Sequence, residues 1–410
     1  MFMTILTGVA ALTGIIVLMV LVLMFCESKL VSKGKVQLLI NDDPSKSPEV
    51  EVGSNLLMAL SQQKIFLPSA CGGKGSCAMC KCQVFEGGGD ILPSEMTHIT
   101  RSEAKEHWRL SCQVKVRGPM KVKVPDEIFG IRKWECTVRS NRNVATFIKE
   151  LAVDLPAGEV IHFESGGYIQ IDVPEYHGLK FSDFDVEPQF RGDWDKFKLW
   201  DLVANNPAPC FRAYSMANHP AEGNMVMLNI RIATPPPRQM TLPPGICSSY
   251  VFSLKKGDKI TISGPYGEFH IKKTNREMIY IGGGAGMAPL RSHIFHLFHT
   301  EKTTRKVSYW YGARSKREMF YTEEFEAIER DFPNFKYHVA LSEPQPEDNW
   351  KGFTGFIHQV VLDNYLKDHP NVDEIEFYLC GPPMMNSAVQ KMLGDLGVEK
   401  EMIAFDDFGG

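Results

Sequence analysis

Cys71, Cys77 and Cys80 are spaced C-x5-C-x2-C in a loop that also holds Gly72, Gly73 and Gly75, and Cys112 follows further along the chain. Nothing else in the sequence constrains the fold as strongly, because four thiols that meet at one point tie a loop to a distant strand. A [2Fe–2S] cluster needs such a set of four thiolates. Glycines let the backbone wrap close to the inorganic sulfides, with N–H groups turned toward their negative charge. Structural zinc sites usually draw their ligands as two short-spaced pairs, whereas this loop supplies three against one. The spacing therefore favours the cluster, ligated by Cys71, Cys77, Cys80 and Cys112. Cys82, two residues past the loop, is expected to be a packed thiol, as is Cys26.

Charge is distributed very unevenly. No Asp, Glu, Lys, Arg or His occurs from Met1 to Cys26. As a helix this run would extend roughly 39 Å, more than the ~30 Å hydrocarbon core of a bilayer. A cleaved signal peptide needs a basic stretch ahead of a shorter apolar run, yet the first basic residues, Lys29, Lys33 and Lys35, come after it. The expectation is a single-pass anchor over residues 1–26. Those lysines place the N-terminus outside and residues 27–410 in the cytoplasm. Thiols stay reduced there, so the cysteine cluster points to metal and not to disulfides. With no ionisable group, the span cannot carry an ion relay by itself.

The whole chain of 410 residues is longer than one core usually organises, which implies several domains. A net charge of −4 gives no broad positive field, so nucleic acid is not an expected partner. After the anchor, KVQLLIN and EVEV alternate as strands, and Ser54 is the expected cap of the helix that follows; QVKV and MKVKV then close an α+β unit over residues 34–125. Residues 130–272 read as strands separated by turns (WECTVRS, ELAVDL, YIQIDV, NMVMLNIRIA, DKITIS), the pattern of an antiparallel barrel. From residue 273 to 410 strand, Gly-rich turn and helix alternate, which predicts an open parallel sheet.

The cysteine loop together with RLSC at 109–112 resembles the plant- and vertebrate-type [2Fe–2S] ferredoxin domain. Farther on come Arg212-Ala-Tyr214-Ser215, then Gly245-Ile-Cys247-Ser248, Gly264-Pro-Tyr-Gly267, IGGGAGMAP and Cys380-Gly381-Pro382-Pro383. In this order the set resembles the ferredoxin–NADP reductase superfamily, an FAD-binding barrel followed by a nicotinamide-binding α/β domain. The resemblance implies that Arg212 meets the flavin pyrophosphate, Tyr214 and Ser215 the isoalloxazine, and the turn Gly245–Ser248 the phosphates. It places Gly283, Gly284 and Gly286 under the dinucleotide, and Cys380, with Gly381 and Pro382, near the nicotinamide. A near-terminal aromatic covers the flavin in this superfamily, which nominates Phe408, with Phe405 second. Ser215, Cys380 and Phe408 are thus the expected catalytic positions, acting by placement because the organic chemistry is the cofactor's.

After the second strand of the α/β domain, Tyr311-Gly-Ala-Arg314 is followed by Lys316 and Arg317, with Glu318 the nearest acid. Local charge alone favours NADPH; the overall family resemblance favours NADH. His293, His296 and His299 drift around a helix and are expected to be structural.

Anchor, ferredoxin domain, FAD barrel and nicotinamide domain in this order resemble the family of NADH-oxidising F subunits of bacterial sodium-translocating NADH:quinone reductases. That likeness implies that NADH delivers two electrons to FAD, which passes them singly to the cluster and on to partner membrane subunits and quinone. A membrane-anchored reductase feeding a hydroxylase is the alternative, and a non-enzymatic iron–sulfur scaffold would leave the nucleotide motifs unexplained. About forty residues separate Ile171 from Phe211, more than a structureless loop should hold in a compact domain. They are acidic and aromatic, and either pack back on the barrel or form a docking surface.

Overall fold

A computed structural model describes Gly8 and residues 12–22, 34–69, 71–236, 239 and 241–406. Residues 12–22 are helical. Among the described residues no helix is long and apolar enough to cross a membrane; most of the segment expected to anchor the chain lies outside them. The chain divides into two compact units, the first ending at Gly130 and the second beginning at Ile131, with residues 71 and 72 of the cysteine loop grouped with the second.

In the first unit, β1 (Lys35–Ile40), β2 (Glu49–Glu51), β3 (Lys81–Glu86), β4 (Trp108–Leu110) and β5 (Met120–Lys123) form one sheet in the order β2-β1-β5-β3-β4. The helix Leu56–Gln62 buries Leu56, Leu57, Ala59 and Leu60. Its cap is Asn55, whose side chain accepts the backbone N–H of Met58 at 2.8 Å, and not Ser54 as expected from sequence. QVKV is not a strand; only Lys115 forms a bridge, to Asn55.

The second unit opens with β6 (Arg132–Ala145), β7 (Ile148–Asp154) and β8 (Tyr168–Val173), then β9 (Tyr176–Lys180), β10 (Val203–Asn206), β11 (Cys210–Ser215), β12 (Met225–Arg231) and β13 (Lys259–Tyr266). Six of these strands form an antiparallel sheet in the order β11-β8-β13-β6-β7-β12, and a bridge between Met216 and Leu228 joins its two edges into a barrel. β9 and β10 pair separately within the long segment after β8. Its aromatics Phe181, Phe184, Phe190 and Trp194 are buried in a satellite core with Ile232 and Phe252. Glu187 accepts the backbone N–H of Asn143 at 3.1 Å. These four rings hold the segment to the barrel, as the first of the two expectations has it.

β14 (Met278–Gly283), β15 (Val307–Ala313), β16 (Phe335–Leu341), β17 (Phe353–Thr354), β18 (Glu376–Cys380) and β19 (Ile403–Asp406) form a wholly parallel sheet, ordered β17-β16-β15-β14-β18-β19. Both faces are covered, which is why VSYWY in β15 is buried throughout. Strand order reverses beside β14, and the crevice at such a reversal is where ligands bind, outside the carboxyl ends of the strands.

Barrel and parallel sheet are joined by polar contacts. Arg291, 4% exposed, bonds both carboxylate oxygens of Glu222 (2.9 and 2.8 Å), Glu324 and the carbonyl of Ala217. His293 is fully buried, and since a carbonyl can only accept, its Nε2–H donates to Phe269 O at 2.9 Å. Burial holds this imidazole down to about 3. The unfolded chain binds the proton from about 6.5 downward while the folded one refuses it, so stability is complete above pH ~6.5 and is lost as pH falls toward ~3. His293→Gln should therefore remove about 2 kcal/mol of the stability lost between about pH 7.5 and about pH 5, read as a flatter denaturation midpoint against pH. An unchanged slope would show that other groups carry the acid sensitivity.

Candidate functional site

The cysteine loop turns on left-handed backbone, with φ of +63° at Gly72, +82° at Gly73 and +84° at Gly75. Side chains there would be strained, and at Gly75 a Cβ would lie 2.7 Å from Gln113 Nε2. Cys112 is brought to the loop by β3 and β4, whose register sets Lys81 against Leu110. Ser111 N–H bonds Cys80 O at 3.0 Å. A Cβ placed on Gly73 would lie only 3.8 Å from Cys112 Cβ. Among the described residues no group of three His, Cys, Asp or Glu side chains is arranged around a single metal ion; a binuclear cluster divides its thiolates two to each iron and needs no such group. The cradle fits a [2Fe–2S] cluster. Cys82 is fully buried and burial pushes its thiol well up, so it stays protonated.

Two residues overlooked in the sequence support the cradle. Arg109, the first residue of RLSC, forms a two-pronged bond with Glu95 at 2.9 and 2.7 Å and also bonds the carbonyls of Gly88, Gly89 and Asp90. Glu95 is fully buried and accepts the N–H of Leu110 as well. Burial pushes its carboxyl up, but the bonds from Arg109, Leu92 and Leu110 outweigh that and hold it below the usual range.

In the barrel, β11 pairs with β8 through Arg212↔Ile171, Tyr214↔Ile169 and Ser215↔Tyr168. Alternation sets Arg212 and Tyr214 on one face. Burial pushes the Tyr214 phenol well up, so it remains a neutral ring. Gly245 caps the helix Ile246–Ser253. A Cβ at Gly245 would lie 2.6 Å from Ala233 Cβ, so only glycine lets the turn close. Ser248 Oγ accepts Ala233 N–H (3.1 Å) and reaches Gly245 O (3.3 Å), bracing the turn from inside. Cys247 packs into the barrel core with its sulfur 3.8 Å from that of Cys210. Both side chains thus take part in packing the turn. Arg212 Nη1 donates to Phe211 O at 2.7 Å; the helix N-terminus at Gly245 suits a phosphate.

The parallel sheet supplies the other wall. β14 runs into Gly283, Gly284 and Gly286, and the helix Met287–Phe295 follows. A Cβ on Gly286 would lie 2.0 Å from Cys380 O, so the turn passes directly over the end of β18. Gly381 is as tight, with Met385 Cε 2.4 Å from its Cβ position, and Pro382 caps the helix Pro383–Asp395. Such a turn fits a dinucleotide pyrophosphate. Cys380, fully buried, pairs with Gly282 on one side and Asp406 on the other. Asp406 was not anticipated, although the sequence FDDF carries it. Its Oδ2 accepts the Ser215 hydroxyl at 2.6 Å. Ser215 of the barrel and the end of β19 are thereby joined. Phe408 lies outside the described residues. Phe405 is 49% exposed, and strand alternation turns it to the opposite face from Asp406.

Comparison with known proteins agrees with this division. Residues 40–117 match the 2Fe-2S iron-sulfur cluster binding domain, 201–271 the oxidoreductase FAD-binding domain and 280–391 the oxidoreductase NAD-binding domain. Among solved structures the chain is similar to the Amycolatopsis cytochrome P450 reductase GcoB (TM-score 0.64, 22% identity, covering 91% of this chain and 98% of that one). It is also similar to the ferredoxin reductase in carbazole 1,9a-dioxygenase (TM-score 0.60, 24% identity, 92% and 99%); at these identities the likeness concerns fold. The F subunit of the Na(+)-translocating NADH-quinone reductase of Pseudoalteromonas atlantica is 57% identical over 98% of each chain. The corresponding protein of Serratia proteamaculans is 57% identical over 100% of each, and that of Methylococcus capsulatus 56% identical over 99% of each. With three matching domains and more than half of all positions shared over the full length, the chain belongs to the family of F subunits of the Na(+)-translocating NADH-quinone reductases.

Proposed function

We propose that this chain is the NADH-oxidising electron-entry subunit of a sodium-translocating NADH:quinone reductase. The bond between Ser215 and Asp406 carries the reading, since it couples the flavin strand to the dinucleotide crevice. When bound, FAD accepts two electrons together from NADH and releases them singly to the [2Fe–2S] cluster. Arg212 and the Gly245 turn hold the flavin phosphates through a guanidinium and backbone N–H groups. Tyr214 presents a neutral ring. Asp406 fixes the Ser215 rotor and keeps the hydroxyl proton at Oγ. Gly283, Gly284 and Gly286 let the dinucleotide approach the backbone, and Gly381 and Pro382 shape the end of β18 around it. Phe408 is the covering aromatic. Cys71, Cys77, Cys80 and Cys112 ligate the cluster.

Domains over 34–125, 130–272 and 273–410 fit this division of labour. The uncharged residues 1–26 supply a single membrane pass, with the remainder on the cytoplasmic side of the inner membrane. Partner membrane subunits of the complex then take the electrons toward quinone, and the sodium path lies in them. In complex-bearing membranes, deletion of residues 1–26 should abolish NADH-driven quinone reduction, while the released protein still passes electrons from NADH to ferricyanide. Loss of both activities would contradict the domain reading; retention of both would remove the anchor.

A further inference from the structure

The segment between β8 and β11 meets the parallel sheet at a place that matters for the choice of nucleotide. Arg314 follows directly on Ala313, the last residue of β15. In a doubly wound sheet the end of the second strand lies beside the adenosine ribose, where an acid bonds the 2′-hydroxyl and an arginine accommodates a 2′-phosphate. An arginine alone would thus read NADPH. Here its Nη2 bonds Asp193 Oδ2 at 3.0 Å and lies 3.5 Å from Glu318 Oε1.

Neither carboxylate is loosely placed. Glu318 Oε2 accepts the Thr146 backbone N–H at 3.0 Å, and its Oε1 accepts the Thr146 hydroxyl. Asp193 sits in the helix Arg191–Lys196, next to the fully buried Trp194, whose Nε1–H donates to Thr146 O at 2.8 Å. The same barrel corner reaches the nucleotide turn: a Cβ on Gly284 would lie 3.8 Å from Ile148 Cδ1. The Arg314 guanidinium stands 5.7 Å from the ring of Phe147 in that corner. Arg314 and its two acids therefore stand at the wall of the crevice. Nearby, Asp348 accepts the backbone N–H of Lys316 at 3.0 Å; that bond first, with the charges of Lys316 and Arg317, holds its carboxyl below the usual range.

We propose that Asp193 is a specificity-determining residue that rejects NADPH by occupying Arg314. Asp193 and Glu318 flank the Arg314 guanidinium, with Arg231 close enough to feel its charge, so a 2′-phosphate would have to break the Asp193 bond to reach Arg314. A 2′-hydroxyl carries no charge and meets no such obstacle. Rejection of a competitor by a repulsive element is as effective for selectivity as attraction of the right ligand. The long segment after β8 thereby gains a role: it brings to the second strand the acid that the strand itself lacks. This proposal rests on the NADH reading above.

Two measurements on the full-length holoprotein test it. In the first, kcat/KM for NADPH relative to NADH is expected to rise about tenfold or more in Asp193→Asn, and Arg314→Gln added to that variant should return the ratio to its starting value. In the second, calorimetry compares adenosine 2′,5′-bisphosphate with AMP, and Asp193→Asn should gain affinity for the bisphosphate only. Equal changes for both nucleotides, or no gain of the bisphosphate over AMP, would overturn the role of Asp193 and leave it a strut between barrel and sheet. If neither nucleotide reduces the flavin of the unaltered protein, the NADH reading fails, while the bisphosphate measurement still decides the role of Asp193.

Discussion

Cys112→Ala is expected to lose the EPR signal of the reduced cluster completely while its flavin is still reduced by NADH. Cys112 is the one proposed ligand outside the loop, delivered by the β3–β4 ladder. Cys82, two residues past the loop, is fully buried, and burial pushes its thiol well up. Cys82→Ala should accordingly keep a normal signal. Flavin reduction survives because Arg212, Tyr214, Ser215 and Asp406 all belong to the other compact unit. Glu95→Ala separates ligation from support. It leaves Arg109 as an unpaired buried cation, at a cost of about 3–5 kcal/mol, so the cluster should be lost on mild heating although all four ligands remain. Iron content and EPR intensity measured together decide the matter; a normal signal in Cys112→Ala would reassign the fourth ligand.

Ser215→Ala should slow flavin reduction by NADH by about 10²- to 10³-fold, with flavin content near normal. Ser215 is 6% exposed and its hydroxyl donates to Asp406 Oδ2. Removing it deletes a hydrogen bond that joins β11 to β19. Asp406→Asn should cause a loss of similar size, since an amide can still accept the bond but no longer carries the charge that holds the hydroxyl proton. The double variant should be scarcely slower than either single one, because groups that act through one hydrogen bond are not additive. Stopped-flow absorbance of the flavin provides the three rates. Fully additive losses would show that serine and aspartate act separately, and a loss of flavin without a loss of rate would make Ser215 a packing residue.

Local patterns carried much of this architecture. The fold class of each soluble domain followed from strand alternation and from the change to strand–turn–helix, and the glycines of the loop and of IGGGAGMAP lie where close backbone approach requires them. What escaped was long-range. Asp406 takes its place through the parallel register that sets it beside Cys380, and no local pattern reports which strand lies at that edge. Glu95 was overlooked because its partner Arg109 lies fourteen residues on, in β4. The aromatics after β8 were ambiguous for a similar reason: Phe181 and Trp194 between charged residues suit either an interface or a satellite core, and only Ile232 and Phe252, both later in the chain, decide for the core. The motif at Gly245–Ser248 did not reveal that the Ser248 hydroxyl braces the turn and that Cys247 packs into the barrel core, since Ala233 and Cys210 are distant in sequence.

A ribosome makes this protein in an order that separates the completion of its two units. The ladder that delivers Cys112 is complete once β5 has emerged at Lys123, whereas Asp406 belongs to β19, the last described strand to be synthesised. At about 5–20 residues per second, roughly 15 to 60 seconds pass between the two. During that interval the sheet that carries Cys80 and Cys112 can form, while the flavin strand still lacks its carboxylate. The sheet of the first unit would therefore be folded well before the flavin site is complete.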